Sequence, residues 1–151
     1  HREDCHDVWD VFGLSVSLPS SFELASPSLK TGEIRLDFAR GREQIVAHRV
    51  SLAEMILRET TLSDWVAEHC RKEWQPFHCA VADDEYRGDE SCLVSGRRKL
   101  HRRLVSPFSP KTLKCRTWYC KEIDKLFILR AELSKDESAF FDDACKSIHC
   151  H

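Results

Sequence analysis

Apolar and polar residues alternate strictly through Leu14, Ser15, Val16, Ser17 and Leu18, and the run stops at Pro19. A repeat of two is that of a strand with one face buried and one wet, and it fits no helix. Glu33 to Phe38 alternates in the same way, with Gly32 before it and Gly41 after it as turn signals. Ile45 to Val50 reads as a third strand, so 33–50 is a predicted hairpin. Strands that follow one another through short turns make an antiparallel sheet, and its apolar face needs a cover.

Helical patterns supply that cover. Ser51-Leu-Ala-Glu54 has the form of a capping box and predicts a short helix through about Arg58. Thr61-Leu-Ser-Asp64 starts a second helix, on which Leu62, Trp65, Val66, His69 and Cys70 form one stripe that must end before Pro76. Phe77 to Ala82 predicts a strand and Asp83 to Glu90 an acidic turn region. Cys92 to Val94 and Leu100 to Val105 are expected to pair across Gly96. After a loop at Ser106 to Pro110, Thr112 to Cys120 and Lys125 to Leu133 read as two further strands. Ser134-Lys-Asp-Glu137 is a third capping box, ahead of a helix with the apolar face Phe140, Phe141, Ala144, Cys145 and Ile148. The expected fold is therefore a single α+β domain over residues 1–151. It has an antiparallel sheet of about six strands with helices packed on it.

Composition narrows the function classes. Apolar residues make up 42% and charged residues 32%, which suits a packed core rather than a disordered chain. The net charge of −2 argues against nucleic acid as a partner. No apolar run approaches the roughly 18 residues of a membrane-spanning helix, so no transmembrane segment is expected. The chain opens on His1, which leaves two expectations for its compartment: the cytoplasm, or export after loss of a signal peptide.

Eight Cys and eight His are the unusual part of the composition. They sit side by side at Cys5-His6, His69-Cys70 and His78-Cys79, and crowd into Cys145-Lys-Ser-Ile-His149-Cys150-His151. Zinc takes four such ligands in a tetrahedron. Cys115 and Cys120 lie five apart on a predicted strand and point to opposite faces, so they do not share an ion. The better set is Cys120 with Cys150 and His151, completed by Cys5 or His6. A Cys120–Cys150 disulfide explains the same residues. A c-type haem is an alternative, with Cys145, Cys150 and His151 as a lengthened C-x4-C-H attachment, and a metal- or haem-carrying electron-transfer domain is then the competing function. A buried apolar role is the ordinary reading for most of these thiols.

The enzyme reading has little support. A thiol nucleophile needs an imidazole held against it, and sequence neighbours point to different sides of a helix or strand. None of the motifs G-x-S-x-G, Walker A, H-E-x-x-H or G-x-G-x-x-G is present. Gly96 to Arg103 is the one basic run. It reads first as a solvated edge that discourages strand pairing, and second as a contact for an acidic partner or phosphates. Trp9, Trp65, Trp74 and Trp118 read as packing residues rather than a ligand cage.

Several segments, in this order, resemble the PsbP/DcrB-like superfamily of α/β/α sandwiches. Gly13 to Leu24 (GLSVSLPSSFEL) is similar to the opening strand, proline and aromatic of those domains. Thr61 to Val66 (TLSDWV) looks like the start of their central helix. Arg116 to Cys120 with Leu126 to Leu129 looks like their last hairpin, and Phe140 to Ile148 like their closing helix. Members with this fold are mainly non-enzymatic: extrinsic photosystem subunits, periplasmic proteins, effector chaperones and a Ran-binding factor. The resemblance thus implies a binding or assembly role with another protein as partner. It transfers no catalytic residue. The Cys/His crowding departs from the usual pattern of the group.

Overall fold

The structure, a computed structural model, describes residues 5–135 and 138–149. Nine strands and five helices follow in the described chain. The first half holds β1 (His6–Val11), β2 (Leu14–Pro19), β3 (Glu23–Lys30), β4 (Glu33–Arg40), β5 (Glu43–Ser51), α1 (Ala53–Glu59) and α2 (Leu62–His69). The second half holds α3 (Arg71–Trp74), β6 (Phe77–Tyr86), β7 (Asp89–Arg98), α4 (Leu100–Val105), β8 (Thr112–Cys120), β9 (Lys125–Leu133) and α5 (Ser138–Ser147).

Seven strands form one antiparallel sheet in the order β3-β4-β5-β9-β8-β7-β6, and β1 and β2 form a separate ribbon. The expected α+β sheet of about six strands is thus seven, with a two-stranded ribbon besides. β9 is central, and its residues alternate between the two faces. Phe127, Leu129, Ala131 and Leu133 join one buried cluster, Leu126 and Ile128 the other. The ribbon and α5 cover the first face: Leu14, Val16 and Leu18 are fully buried there beside Phe22, Phe38, Trp118 and Phe141. Ser17 N–H donates to Ser147 Oγ at 2.8 Å and ties ribbon to helix. Helices α1 to α3 cover the second face with Ala53, Leu62, Val66, Cys70 and Trp74.

Two strands form where the sequence shows no alternation, and two local expectations are corrected. β1 shows no alternation because its side chains are mostly exposed, yet it pairs in register from His6↔Pro19 to Val11↔Leu14. β3 contains Pro27, which an edge strand tolerates because its outer side has no ladder to complete. The acidic stretch Asp83–Glu90 is strand except at Arg87-Gly88, whose φ values of 54° and 80° make the two-residue turn of a hairpin. Gly96 lies inside β7 and is not a turn; Leu100–Val105 is helix, and does not pair with Cys92–Val94. A Cβ on Gly96 would lie 3.0 Å from Cys79 Sγ and 3.1 Å from His78 O, so glycine there serves the close approach of β6.

The caps differ in the same way. Thr61 caps α2 as expected, its side chain accepting from Asp64 N–H at 3.2 Å. Ser51 does not cap α1. Asp124, in the β8–β9 turn, accepts from Glu54 N–H at 2.7 Å, and the Ser51 hydroxyl instead accepts from Lys125 Nζ at 2.7 Å. The third capping box falls partly on residues outside those described. Among the described residues no helix is long and apolar enough to cross a membrane.

Candidate binding face and polar cleft

The basic run lies mostly on α4 and its flanks. No residue of α4 is buried. Leu100, Leu104, Val105 and Phe108 are exposed, Val105 to 81%. The base of this segment is fixed: Lys99 N–H donates to Pro76 O, Arg98 N–H to Lys111 O, and Arg98 Nε to Pro110 O at 2.6 Å. A secured base with an apolar tip held in water is the reverse of a helix built for stability. Residues 97–111 carry Arg97, Arg98, Lys99, Arg102, Arg103 and Lys111 and no carboxylate. At its base the segment meets a shallow groove of about 670 Å³, where Trp74 and Phe77 lie among Arg71, Lys72 and Lys99.

A second feature is built under the α2–α3 elbow. On the helix-covered face, β4 presents Glu33, Arg35 and Asp37, β5 presents His48, and β9 presents Arg130. Pairing Arg35↔His48 and Val46↔Arg130 sets them side by side. His69 and Glu73 come down from the helices. All of these but Asp37 line a cleft of about 150 Å³ with Val46, Cys70 and Ile128. His48 and Arg130 are buried. Arg130 pairs with Glu73 at 3.3 Å and Arg35 with Asp37 at 2.7 Å. A hydrogen bond of 3.4 Å joins His69 Nε2 and His48 Nδ1. The other nitrogen, His48 Nε2, lies against Glu33 Oε1 without the alignment of a hydrogen bond and is closed off from water. Trp65 stacks on His69 at 4.8 Å, and His69 stacks on His48 at 5.1 Å.

These surroundings tune the groups. Burial pushes the His48 imidazole down to about 4 against the opposing pull of Glu33, and burial lowers His69 as well. The Cys70 thiol is held below its usual range, first by a hydrogen bond from Cys115. Cys115, the donor of that bond and wholly enclosed, lies well above it. Burial works to raise the Glu73 carboxyl, but its own backbone N–H and Arg130 hold it below the usual range.

The residues expected to bind metal or haem are placed as follows. Cys120 is buried at the end of β8, in the ribbon-side cluster. Cys145 is buried in that cluster too, and burial pushes its thiol up to about 12. Cys5 and His6 border a surface hollow with Ser20, Arg40, Phe140 and Asp143. Cys150 and His151 lie outside the described residues. Among the described residues, three metal-capable side chains converge at Glu33, His48 and His69. Sequence reasoning noted His69 on the helix stripe but passed over Glu33 and His48. The available signal was the shared face: Glu33, Arg35 and the position opposite His48 follow from the hairpin register.

No family model matches the chain, and no curated protein matches it. The fold is an α+β sandwich, an antiparallel sheet with few helices packed on it. Among solved structures, the Ran-binding protein Mog1p of Saccharomyces cerevisiae is similar to it. The TM-score is 0.57, covering 97% of this chain and 96% of that one, at 10% sequence identity. At such identity the likeness is one of fold.

Proposed function

We propose that this chain is a non-enzymatic binding module of the PsbP/DcrB-like group, and that the face around α4 docks an acidic, partly apolar segment of another protein. The observation that carries the reading is α4 itself. It keeps no side chain in the core, yet displays Leu100, Leu104, Val105 and Phe108 among six Lys and Arg residues. Apolar anchors ringed by one sign of charge suit a partner with the complementary pattern. In a chain of net charge −2, that concentration of cations is local. The likeness to Mog1p supports the class of function, since that protein is described as Ran-binding; it does not name a partner for this chain.

The test is cross-linking of the wild type and of a Leu104→Asp/Arg103→Glu variant in extract, followed by mapping of the linked residues. The reading expects links concentrated in 97–111 and in the groove at Arg71 and Lys72. It also expects an affinity for the recovered partner that falls with added salt and drops at least tenfold in the variant. Links that map elsewhere would overturn it. So would cosedimentation with anionic vesicles that accounts for all binding at α4.

A further inference from the structure

Under the α2–α3 elbow, three side chains from three separate elements point at one small volume. Glu33 opens β4, His48 lies in β5, and His69 ends α2. One donor atom from each lies within 4.8 Å of the other two. His69 Nε2 is 3.4 Å from His48 Nδ1 and 4.0 Å from Glu33 Oε1. Ligand atoms on a tetrahedral zinc ion, with bonds near 2.0–2.2 Å, stand roughly 3.3–3.6 Å apart, so these separations are close to those of a ligand set. We propose that Glu33, His48 and His69 form a binding site for a divalent metal ion of the zinc class, with a fourth position open to solvent.

The surroundings fit that assignment. Two imidazoles and one carboxylate are a donor set that zinc accepts, and three protein ligands leave room for water or an incoming group. The rings are already oriented, since His69 is sandwiched between Trp65 and His48. His48 is 4% exposed; its Nδ1 faces His69 Nε2, while Glu33 Oε1 lies against its other nitrogen and holds the ring in place. The two guanidinium groups in the cleft already have carboxylate partners, Arg35 in Asp37 and Arg130 in Glu73. They therefore do not claim Glu33. About a third of the His69 and Glu33 side chains is exposed, which gives the ion an entry path. The site is independent of the α4 face, and neither stands or falls with the other.

The experiment is calorimetric titration of the chelator-treated chain with Zn²⁺ alone, with Co²⁺ as a spectroscopic substitute. The expected result is one ion per chain at micromolar or tighter affinity. The Co²⁺ spectrum should show tetrahedral bands without thiolate charge transfer. Glu33→Gln and His69→Gln, both near the surface, should weaken binding by ten- to a hundredfold while melting as the metal-free wild type does. His48→Gln is the more severe change, and its fold is checked by circular dichroism first. Cys120→Ser and removal of 150–151 should leave the affinity unchanged. Absence of binding overturns the proposal. Undiminished binding by a folded Glu33→Gln/His69→Gln double variant does so too, as does loss of binding on removing 150–151, which would instead favour the cysteine-rich terminus.

Discussion

The two faces of the central sheet are built from the same strands and differ in chemistry. The ribbon side is dry except toward β6 and β7, where Arg116 bonds buried Ser91 and pairs with Asp84. Leu14, Val16, Leu18, Phe22, Leu36, Phe38, Trp118 and Phe141 fill it, and the thiols of Cys120 and Cys145 are the titratable groups in its buried cluster. The helix side mixes apolar residues with buried His48, Arg130 and Thr117 and with the carboxylates of Glu33 and Glu73 at the rim. Each strand serves both faces by alternation, so one sequence encodes two environments. The difference teaches where the free energy of folding is stored and where it is conceded. Buried apolar area around the ribbon stabilises without polar compensation, whereas the charges gathered on the helix side need partners before their burial is tolerable. A fold can concede that much on one face because the other is dry.

The comparison breaks first where the dry face is cut. Phe141, 1% exposed on α5, belongs to the cluster that holds the ribbon to the sheet. Phe141→Ala should cost about 3–5 kcal/mol in urea denaturation, as loss of a buried ring and a residual cavity dictate. A cost under about 1 kcal/mol would show that the ribbon face is not the main store of stability.

The wet face should respond to chemistry rather than to volume. Glu73→Ala leaves the Arg130 guanidinium, 5% exposed, without its carboxylate. Glu73 is itself about a third exposed, so water softens the loss, and the expected cost is about 2 kcal/mol. The paired change Glu73→Leu/Arg130→Met removes both charges and should recover most of it. If the double variant is as unstable as the single one, the ion pair is not what makes the face tolerable.

How much of this was readable beforehand follows the same division. The dry face announces itself by periodicity: Leu14 to Leu18, Glu33 to Phe38 and the stripe of α5 are all visible as patterns, because apolar burial leaves a regular trace. The polar cleft leaves none. His48 follows the apolar run Ile45-Val46-Ala47, and only the register Arg35↔His48, set by the Gly41-Arg42 turn, brings it to the face where His69 descends. β1 and β3 leave no pattern either, because one is largely exposed and the other contains Pro27. The segment 100–105 reads as a strand because Leu100, Leu104 and Val105 look like core residues; exposure of all three is a tertiary fact. The cysteine-rich terminus stands out by composition, which counts ligands but does not place them.

A pH experiment sharpens the contrast further. Cys145 is buried on the dry face, and burial pushes its thiol up to about 12. In the unfolded chain an ordinary thiol ionises near 8.5–9. The sign is fixed by linkage: the folded state keeps the proton, so its advantage is intact below about pH 9 and is lost as pH rises toward 12. Between pH 8 and 10.5 the wild type should lose about 2 kcal/mol through this one group. Cys145→Ala, although less stable at pH 8, should show a shallower alkaline decline by about that amount in denaturant titrations. An equal slope in both proteins would mean that water reaches the thiol, and that the dry face is not dry.

The smallest expected effect lies at the margin of the helix side, where α4 rises from the sheet. Leu104 is 77% exposed, and no residue of its helix is buried. Leu104→Ser should therefore move the unfolding free energy by less than about 0.5 kcal/mol, as surface positions without partners do. Phe141 and Leu104 are both large apolar residues on short helices, and the ratio of their two costs measures how differently the fold uses them. A near-zero cost at Leu104 means that selection for stability alone does not retain a leucine there, and that its apolar surface is available to something outside the chain. A cost above about 1.5 kcal/mol would mean instead that α4 packs back on the groove of Trp74 and Phe77 in solution, and the face would then be part of the core rather than a place to dock.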